Sequence, residues 1–176
     1  IIASAENKHT ADEMVQTDEK FIRNVLGDLV FGEGEETLAQ VVGEELVKRK
    51  QTVATAESCT GGLLAKLITD IPGASEYFIY GWVTYSNNAK ITELGVSAEL
   101  IEKYGAVSEQ TAVVMAKQAR QKSRSDFAIS ITGIAGPTGG TKDKPVGLVF
   151  IGLSDAQEVQ TKRVIFSADR ETVRMR

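Results

Sequence analysis

The stretch Thr52-Val53-Ala54-Thr55-Ala56-Glu57-Ser58-Cys59-Thr60-Gly61-Gly62-Leu63-Leu64-Ala65-Lys66-Leu67-Ile68-Thr69-Asp70 decides the fold. Thr52–Ala56, small and β-branched, reads as a strand, and Gly62–Asp70 as a helix closed by Pro72-Gly73. Between them small hydroxyls and two glycines form a turn. The same alternation repeats outward. Upstream, a helix over residues 36–50 carries Leu38, Val41, Val42, Leu46 and Val47 on one stripe. Lys48-Arg49-Lys50 stand at its C-terminal end, where the helix dipole favours cations. Downstream come a strand at Trp82–Tyr85, short helices at Asn88–Leu94 and Ala98–Tyr104, a long helix at Glu109–Arg124 and a buried strand at Phe127–Ile131. Val146–Leu153 and Val159–Phe166 pair as a hairpin across Asp155-Ala156-Gln157, and Asp169 starts a last helix. Strands alternating with helices predict an α/β fold: a three-layer α/β/α sandwich with a mixed, mostly parallel sheet, the hairpin adding an antiparallel strand.

Residues 1–35 read differently. Met14, Val15, Phe21, Ile22, Val25 and Leu26 form a patchy amphipathic pattern, and Leu29-Val30-Phe31-Gly32-Glu33-Gly34 ends it with two glycines. This segment is expected to be the tail of a preceding domain plus a linker, with the main domain at 36–176. Charge divides the same way: residues 1–50 hold 11 acids and 6 bases, a net −5, and residues 51–176 hold 13 acids and 14 bases, a net +1. No apolar run approaches the ~20 residues of a membrane span. No signal or lipidation motif is visible, so a soluble cytoplasmic protein is expected, without contact to a membrane. The chain opens Ile1-Ile2 without Met, and its natural N-terminus is expected to lie upstream.

Two counts exclude whole classes of chemistry. With one Cys, the chain forms no internal disulfide and no Cys-cluster zinc or iron–sulfur site. The single His, His9, sits in the charged N-terminal stretch, away from any pattern that would set it beside a nucleophile. A nucleophilic enzyme built on this inventory takes its base from Lys, Asp, Glu or Tyr.

In open α/β sheets, ligands bind beyond the carboxyl ends of the strands, and three loops there carry chemistry. In Ala56–Gly62, Ser58 and Thr60 stand at a helix N-terminus whose free N–H groups favour an oxyanion or phosphate, and Gly61 and Gly62 admit close approach. An ordinary N-cap competes with that reading. Cys59 is a second candidate nucleophile, set against a buried structural role because no His or cation adjoins it in sequence. In Thr84–Lys90, Lys90 is either a solvated helix lysine or a base whose pKa falls from ~10.4 through burial. Tyr85 could reach the same site. In Ile131–Gly140, four glycines (Gly133, Gly136, Gly139 and Gly140) in eight residues bring backbone amides toward a ligand, unless the loop is merely a flexible surface turn.

The segments AESCTGG (56–62), VTYSNNAK (83–90), GAVSEQ (105–110), SITGIAGPTGG (130–140) and KPVGLVFIG (144–152) resemble, in order and spacing, the CinA C-terminal domain family. Characterised members of that family include nicotinamide-mononucleotide deamidase. The resemblance covers about residues 36–176, and residues 1–35 look like the tail of the middle domain that precedes this module in full-length CinA proteins. It implies a serine amidohydrolase with a Ser/Lys dyad at Ser58 and Lys90, and Tyr85 and Thr132 match supporting family hydroxyls. The implied reaction converts nicotinamide mononucleotide to nicotinate mononucleotide and ammonia, with no metal and no cofactor. The family continues its last helix past Asp169–Arg174, whereas this sequence stops at Arg176. A truncated helix would leave one sheet face less covered.

These readings give definite expectations. Lys90 Nζ should lie about 2.6–3.2 Å from Ser58 Oγ, buried, with Tyr85 or Thr132 holding its orientation. Backbone N–H groups around Cys59, Thr60, Gly61 and Gly62 should form the oxyanion hole, and the 133–140 loop should contact a small nucleotide substrate. A homo-oligomer, a dimer, is the expected assembly. A non-catalytic nucleotide- or partner-binding module of a competence/damage-inducible CinA protein is the rival class. Nucleic-acid binding is disfavoured by the absence of a basic stripe.

Overall fold

A computed structural model describes all residues, Ile1–Arg176. The chain divides into two compact units, Ile1–Val41 and Val42–Arg176. In the first, Asn7 caps helix α1 (Lys8–Leu26) by accepting from the Thr10 amide at 3.0 Å, and Gly27 ends it at a positive φ. No side chain of α1 is buried. Helix α2 (Leu38–Arg49) leads into the second unit.

That unit contains strands β1 (Val53–Glu57), β2 (Phe78–Val83), β3 (Phe127–Gly133), β4 (Leu148–Ser154) and β5 (Val159–Ile165) in the order β2-β1-β3-β4-β5. β1 pairs parallel with β2 and β3, while β4 runs antiparallel to β3 and β5, so four strands share one direction and only β4 is reversed. This is the mixed, mostly parallel sheet of an α/β/α sandwich. Helices α3 (Leu63–Thr69), α4 (Asn87–Leu94), α5 (Ala98–Tyr104), α6 (Glu109–Ser123) and α7 (Arg170–Met175) complete it.

Alternation along the strands builds both cores. Ala54, Ala56 and Ala128 face Leu94, Met115 and Ala119 of α4 and α6. Val53 and Ile129 face Leu46 of α2 and Ile68 of α3. On that second face, Val149 and Ile151 pack against Val173 of α7. β1 is buried along its whole length, as expected of a central strand covered on both sides.

The second strand is displaced from its expected position: it occupies 78–83 rather than 82–85. It is an edge strand with Ile79, Tyr80 and Val83 exposed, so it lacks the alternation that marks a half-buried strand. Thr84 and Tyr85 leave the sheet to begin the next loop. No helix is long and apolar enough to cross a membrane.

Candidate active site

β1, β2 and β3 run parallel and release their three loops at one end of the sheet. The ladder continues one step past β1: the Ser58 amide donates to the Ile131 carbonyl at 2.9 Å, and the Thr84 amide donates to the Glu57 carbonyl at 2.8 Å. All three loops are thereby fixed to one another at their roots.

The β1–α3 turn is organised by a buried carboxylate. Glu57 is wholly inaccessible, and its oxygens accept from the amides of Gly62 at 3.0 Å, Leu64 at 3.0 Å and Ala65 at 2.8 Å. These are the orphan donors of the first turn of α3, and Glu57 satisfies three of them from below. The Gly61 amide donates to the Ser58 carbonyl at 3.1 Å. The expected oxyanion hole therefore narrows: Gly61 and Gly62 have spent their N–H groups inside the turn. The Cys59 and Thr60 amides have no backbone acceptor, and of the two residues only Cys59 lines the cleft.

The β2–α4 turn delivers Lys90. Ser86 caps α4 by accepting from the Ala89 amide at 3.0 Å, which sets the next residue, Lys90, one turn into the helix and facing inward. Lys90 is 1% exposed, and its Nζ donates to Ser58 Oγ at 2.9 Å, to the Thr84 carbonyl at 2.8 Å and to the Tyr85 carbonyl at 3.5 Å. No carboxylate pairs with it. Burial lowers its pKa from 10.5 to about 8, against a smaller opposing pull from Cys59. An ammonium here satisfies all three acceptors. A neutral amine keeps two N–H groups for the carbonyls and turns its lone pair toward the Ser58 hydroxyl.

Two expected contacts fall elsewhere. The Tyr85 hydroxyl accepts from Arg170 Nη2 at 3.1 Å, and the Thr132 hydroxyl donates to the Ala106 carbonyl at 2.7 Å, so neither hydroxyl touches Lys90. Backbone carbonyls orient the amine instead. Thr132 ties the end of β3 to the α5–α6 loop, and Tyr85 is 58% exposed at the cleft rim.

Ser58 and Lys90 open into a cleft of about 270 Å³ that Cys59, Tyr85, Thr132, Gly133, Gly136 and Gly139 also line. Thr60, Gly61, Gly62 and Gly140 stand outside its wall. Gly140 packs against Val146, where a Cβ would come within 2.7 Å of the Val146 amide nitrogen. The Cys59 thiol is buried, and desolvation pushes its pKa up. No group of three or more His, Cys, Asp or Glu side chains is placed to hold a metal ion.

Sequence reasoning missed Arg170. Asp169 caps α7 by accepting from the Thr172 amide at 2.8 Å, and Arg170 then spans the cleft, donating to the Gly136 carbonyl at 2.7 Å and to Tyr85. With Lys90 it makes the cleft cationic, and no Asp or Glu lines it. The Asp169-Arg170 cap was visible in the sequence, but nothing local shows that α7 returns to the β2 and β3 loops.

The model of the CinA C-terminal domain matches residues 35–176. A competence-damage inducible protein of Clostridium perfringens is 51% identical over 176 residues, which are 100% of this chain and 43% of that protein. A CinA-like protein of Geotalea daltonii is 50% identical over 171 residues, 97% of this chain and 41% of its own length. The chain thus spans less than half the length of these relatives. Among solved structures, the competence/damage inducible protein CihA from Agrobacterium tumefaciens superposes with a TM-score of 0.78 at 41% identity, covering 83% of this chain and 90% of that one. A CinA superfamily protein from Escherichia coli gives a TM-score of 0.75 at 31% identity, covering 85% and 90%. With the sheet, the three loops and the match over residues 35–176 in agreement, this chain belongs to the CinA C-terminal domain family.

Proposed function

We propose that the domain is a serine amidohydrolase that converts nicotinamide mononucleotide to nicotinate mononucleotide and ammonia. The observation that carries this reading is the buried Lys90 amine 2.9 Å from Ser58 Oγ, with its pKa brought down to about 8. A hydroxyl beside an amine that is partly neutral near pH 7 is an activated nucleophile.

Ser58 Oγ attacks the carboxamide carbon while Lys90 takes the hydroxyl proton. The carbonyl oxygen, now an anion, lies against the Cys59 amide. Lys90 passes the proton to the amide nitrogen, the C–N bond breaks and ammonia leaves an acyl ester on Ser58. Water then attacks the ester, Lys90 accepts its proton, and the carboxylate product departs as Ser58 recovers its own. Nucleophile and base are both protein groups. Arg170 and the free backbone of residues 136–139 are the groups suited to the substrate's phosphate. The α3 N-terminus is not, because Glu57 already fills it with a carboxylate.

The test is ammonia release from nicotinamide mononucleotide, wild type beside Ser58→Ala. Turnover by the wild type and a loss of about 10³-fold or more in the variant are expected. Nucleotide binding without ammonia release would overturn the reading in favour of a non-catalytic binding module.

A further inference from the structure

Arg174 stands behind the nucleophile turn, outside the wall of the cleft. α7 packs there through Val173, buried in one cluster with Cys59 and Val149. One helical turn after Arg170, Arg174 Nη2 donates to the Thr60 carbonyl at 2.8 Å. Its Nε is buried without a partner, so the guanidinium gives up one hydrogen bond in holding this position.

The contact matters because of the peptide it grips. The Thr60 carbonyl belongs to the Thr60–Gly61 peptide, and in a planar trans peptide the C=O and N–H point in opposite directions. The N–H of that same peptide, on Gly61, donates to the Ser58 carbonyl at 3.1 Å. The Ser58 carbonyl in turn belongs to the Ser58–Cys59 peptide, so fixing it aims the Cys59 N–H the opposite way. Arg174 is thus coupled through two rigid planes to the Cys59 amide, which has no backbone acceptor and whose residue lines the cleft beside Ser58. Gly61 allows the arrangement by adopting φ +64, where side chains are disfavoured.

We propose that Arg174 is a positioning residue that aims the Cys59 amide at the oxyanion, acting on the transition state and leaving substrate affinity alone. The proposal rests on the Ser58/Lys90 reading above. It separates two arginines of one helix: Arg170 faces the cleft and serves binding, and Arg174 faces the turn and serves the chemical step.

The experiment uses a serine-directed fluorophosphonate, whose phosphoryl oxygen occupies the oxyanion position, together with steady-state turnover. Labelling is followed in the full chain for the wild type, Ser58→Ala, Arg174→Ala and Arg174→Lys. Arg174→Ala is expected to label about 10–100-fold more slowly, less than the 10²–10³ lost when an oxyanion donor is deleted outright. Its kcat should fall in step, with KM within about twofold and the pH midpoint of labelling unmoved. Arg174→Lys, or added guanidinium ion on Arg174→Ala, should restore part of the rate. Arg174→Ala labelling at the wild-type rate, losing activity through KM alone, or shifting the pH midpoint would each overturn the proposal. If Arg174→Ala does not fold, Arg174→Lys and Arg174→Gln, which keep the buried stem and an N–H donor, are read by the same criteria. A wild type that labels no faster than Ser58→Ala sinks the dyad itself and this proposal with it. A labelled wild type with indifferent Arg174 variants sinks only this one.

Discussion

Two turns leave neighbouring parallel strands at one end of the sheet, and each buries a side chain that can carry a charge, Glu57 in one and Lys90 in the other. In the β1–α3 turn, three amides meet the Glu57 carboxylate. In the β2–α4 turn, Lys90 meets a hydroxyl and two carbonyls, with no opposite charge. A buried group whose bonding is complete holds the backbone in place. One that lacks its counter-charge is shifted toward neutrality, and a neutral amine is a base. The difference teaches how the site divides its labour. On the proposed reading, the first turn is pinned by Glu57 and presents Ser58 as nucleophile, and the second supplies Lys90 as base.

The sharpest way to break this comparison is to remove its two reactive ends singly and together. Ser58→Ala and Lys90→Ala should each lower kcat by about 10³-fold or more, and the double variant should be little worse than either, because groups that act as a unit are not additive. Near-additive losses would mean that the 2.9 Å contact is not the catalytic pair.

The next effect is on stability, and the two turns should respond with opposite signs. With its pKa lowered to about 8, Lys90 costs the folded state about 3 kcal/mol wherever it is protonated. That penalty is complete below pH 8 and is relieved as pH rises from about 8 toward 10.5, the range in which the unfolded chain holds more protons. Lys90→Met keeps the stem and removes the charge. The two carbonyls lose their donors at roughly 1 kcal/mol each, while the Ser58 hydroxyl can turn to water in the open cleft, so a net gain of about 1 kcal/mol is expected at pH 7, with activity abolished. Glu57→Gln exchanges a two-oxygen acceptor for an amide with one oxygen and should cost about 1–3 kcal/mol. Urea unfolding of both variants checks the pair. Shifts of the same sign would erase the distinction between the turns.

How much of this was legible in the sequence follows from the same physics. β1, α3, α6 and the β4–β5 hairpin stand within a few residues of their expected positions, because glycines, Pro72 and polar turns punctuate them sharply. The edge strand β2 was misplaced because Ile79, Tyr80 and Val83 are exposed and leave no periodic signal. Ser58 and Lys90 each stood out locally at a strand-to-helix turn. Their pairing across 32 residues came from the family resemblance and depends on β1 and β2 being adjacent and parallel. The groups around them were hidden. The Thr84 and Tyr85 carbonyls are backbone and carry no residue signature, and Arg170 and Arg174 reach the site through a helix more than 110 positions beyond Ser58 in the chain. Glu57 was legible as an acid in a turn, but its three amide partners come from the fold.

The smallest expected effect is the most specific, because it names the group that titrates. Protonated Lys90 cannot accept the Ser58 proton, so kcat/KM should rise with pH along a limb of slope one and level off above a midpoint near 8, set by the Lys90 pKa of about 8. At pH 7 the rate should stand about tenfold below the plateau. The substrate's phosphate, with a second pKa of about 6, is largely ionised throughout and adds no limb there. Cys59 is the other ionisable group beside the dyad, and burial holds its thiol above the usual 9.0. A thiolate at Cys59 would favour the Lys90 ammonium, so Cys59→Ala should leave the midpoint in place or lower it slightly while preserving most of the activity. The measurement is a pH profile of ammonia release for the wild type and Cys59→Ala side by side. A limb that disappears in Cys59→Ala would move the titration from the amine to the thiol. The uncompensated charge of the β2–α4 turn would then have no part in the reaction.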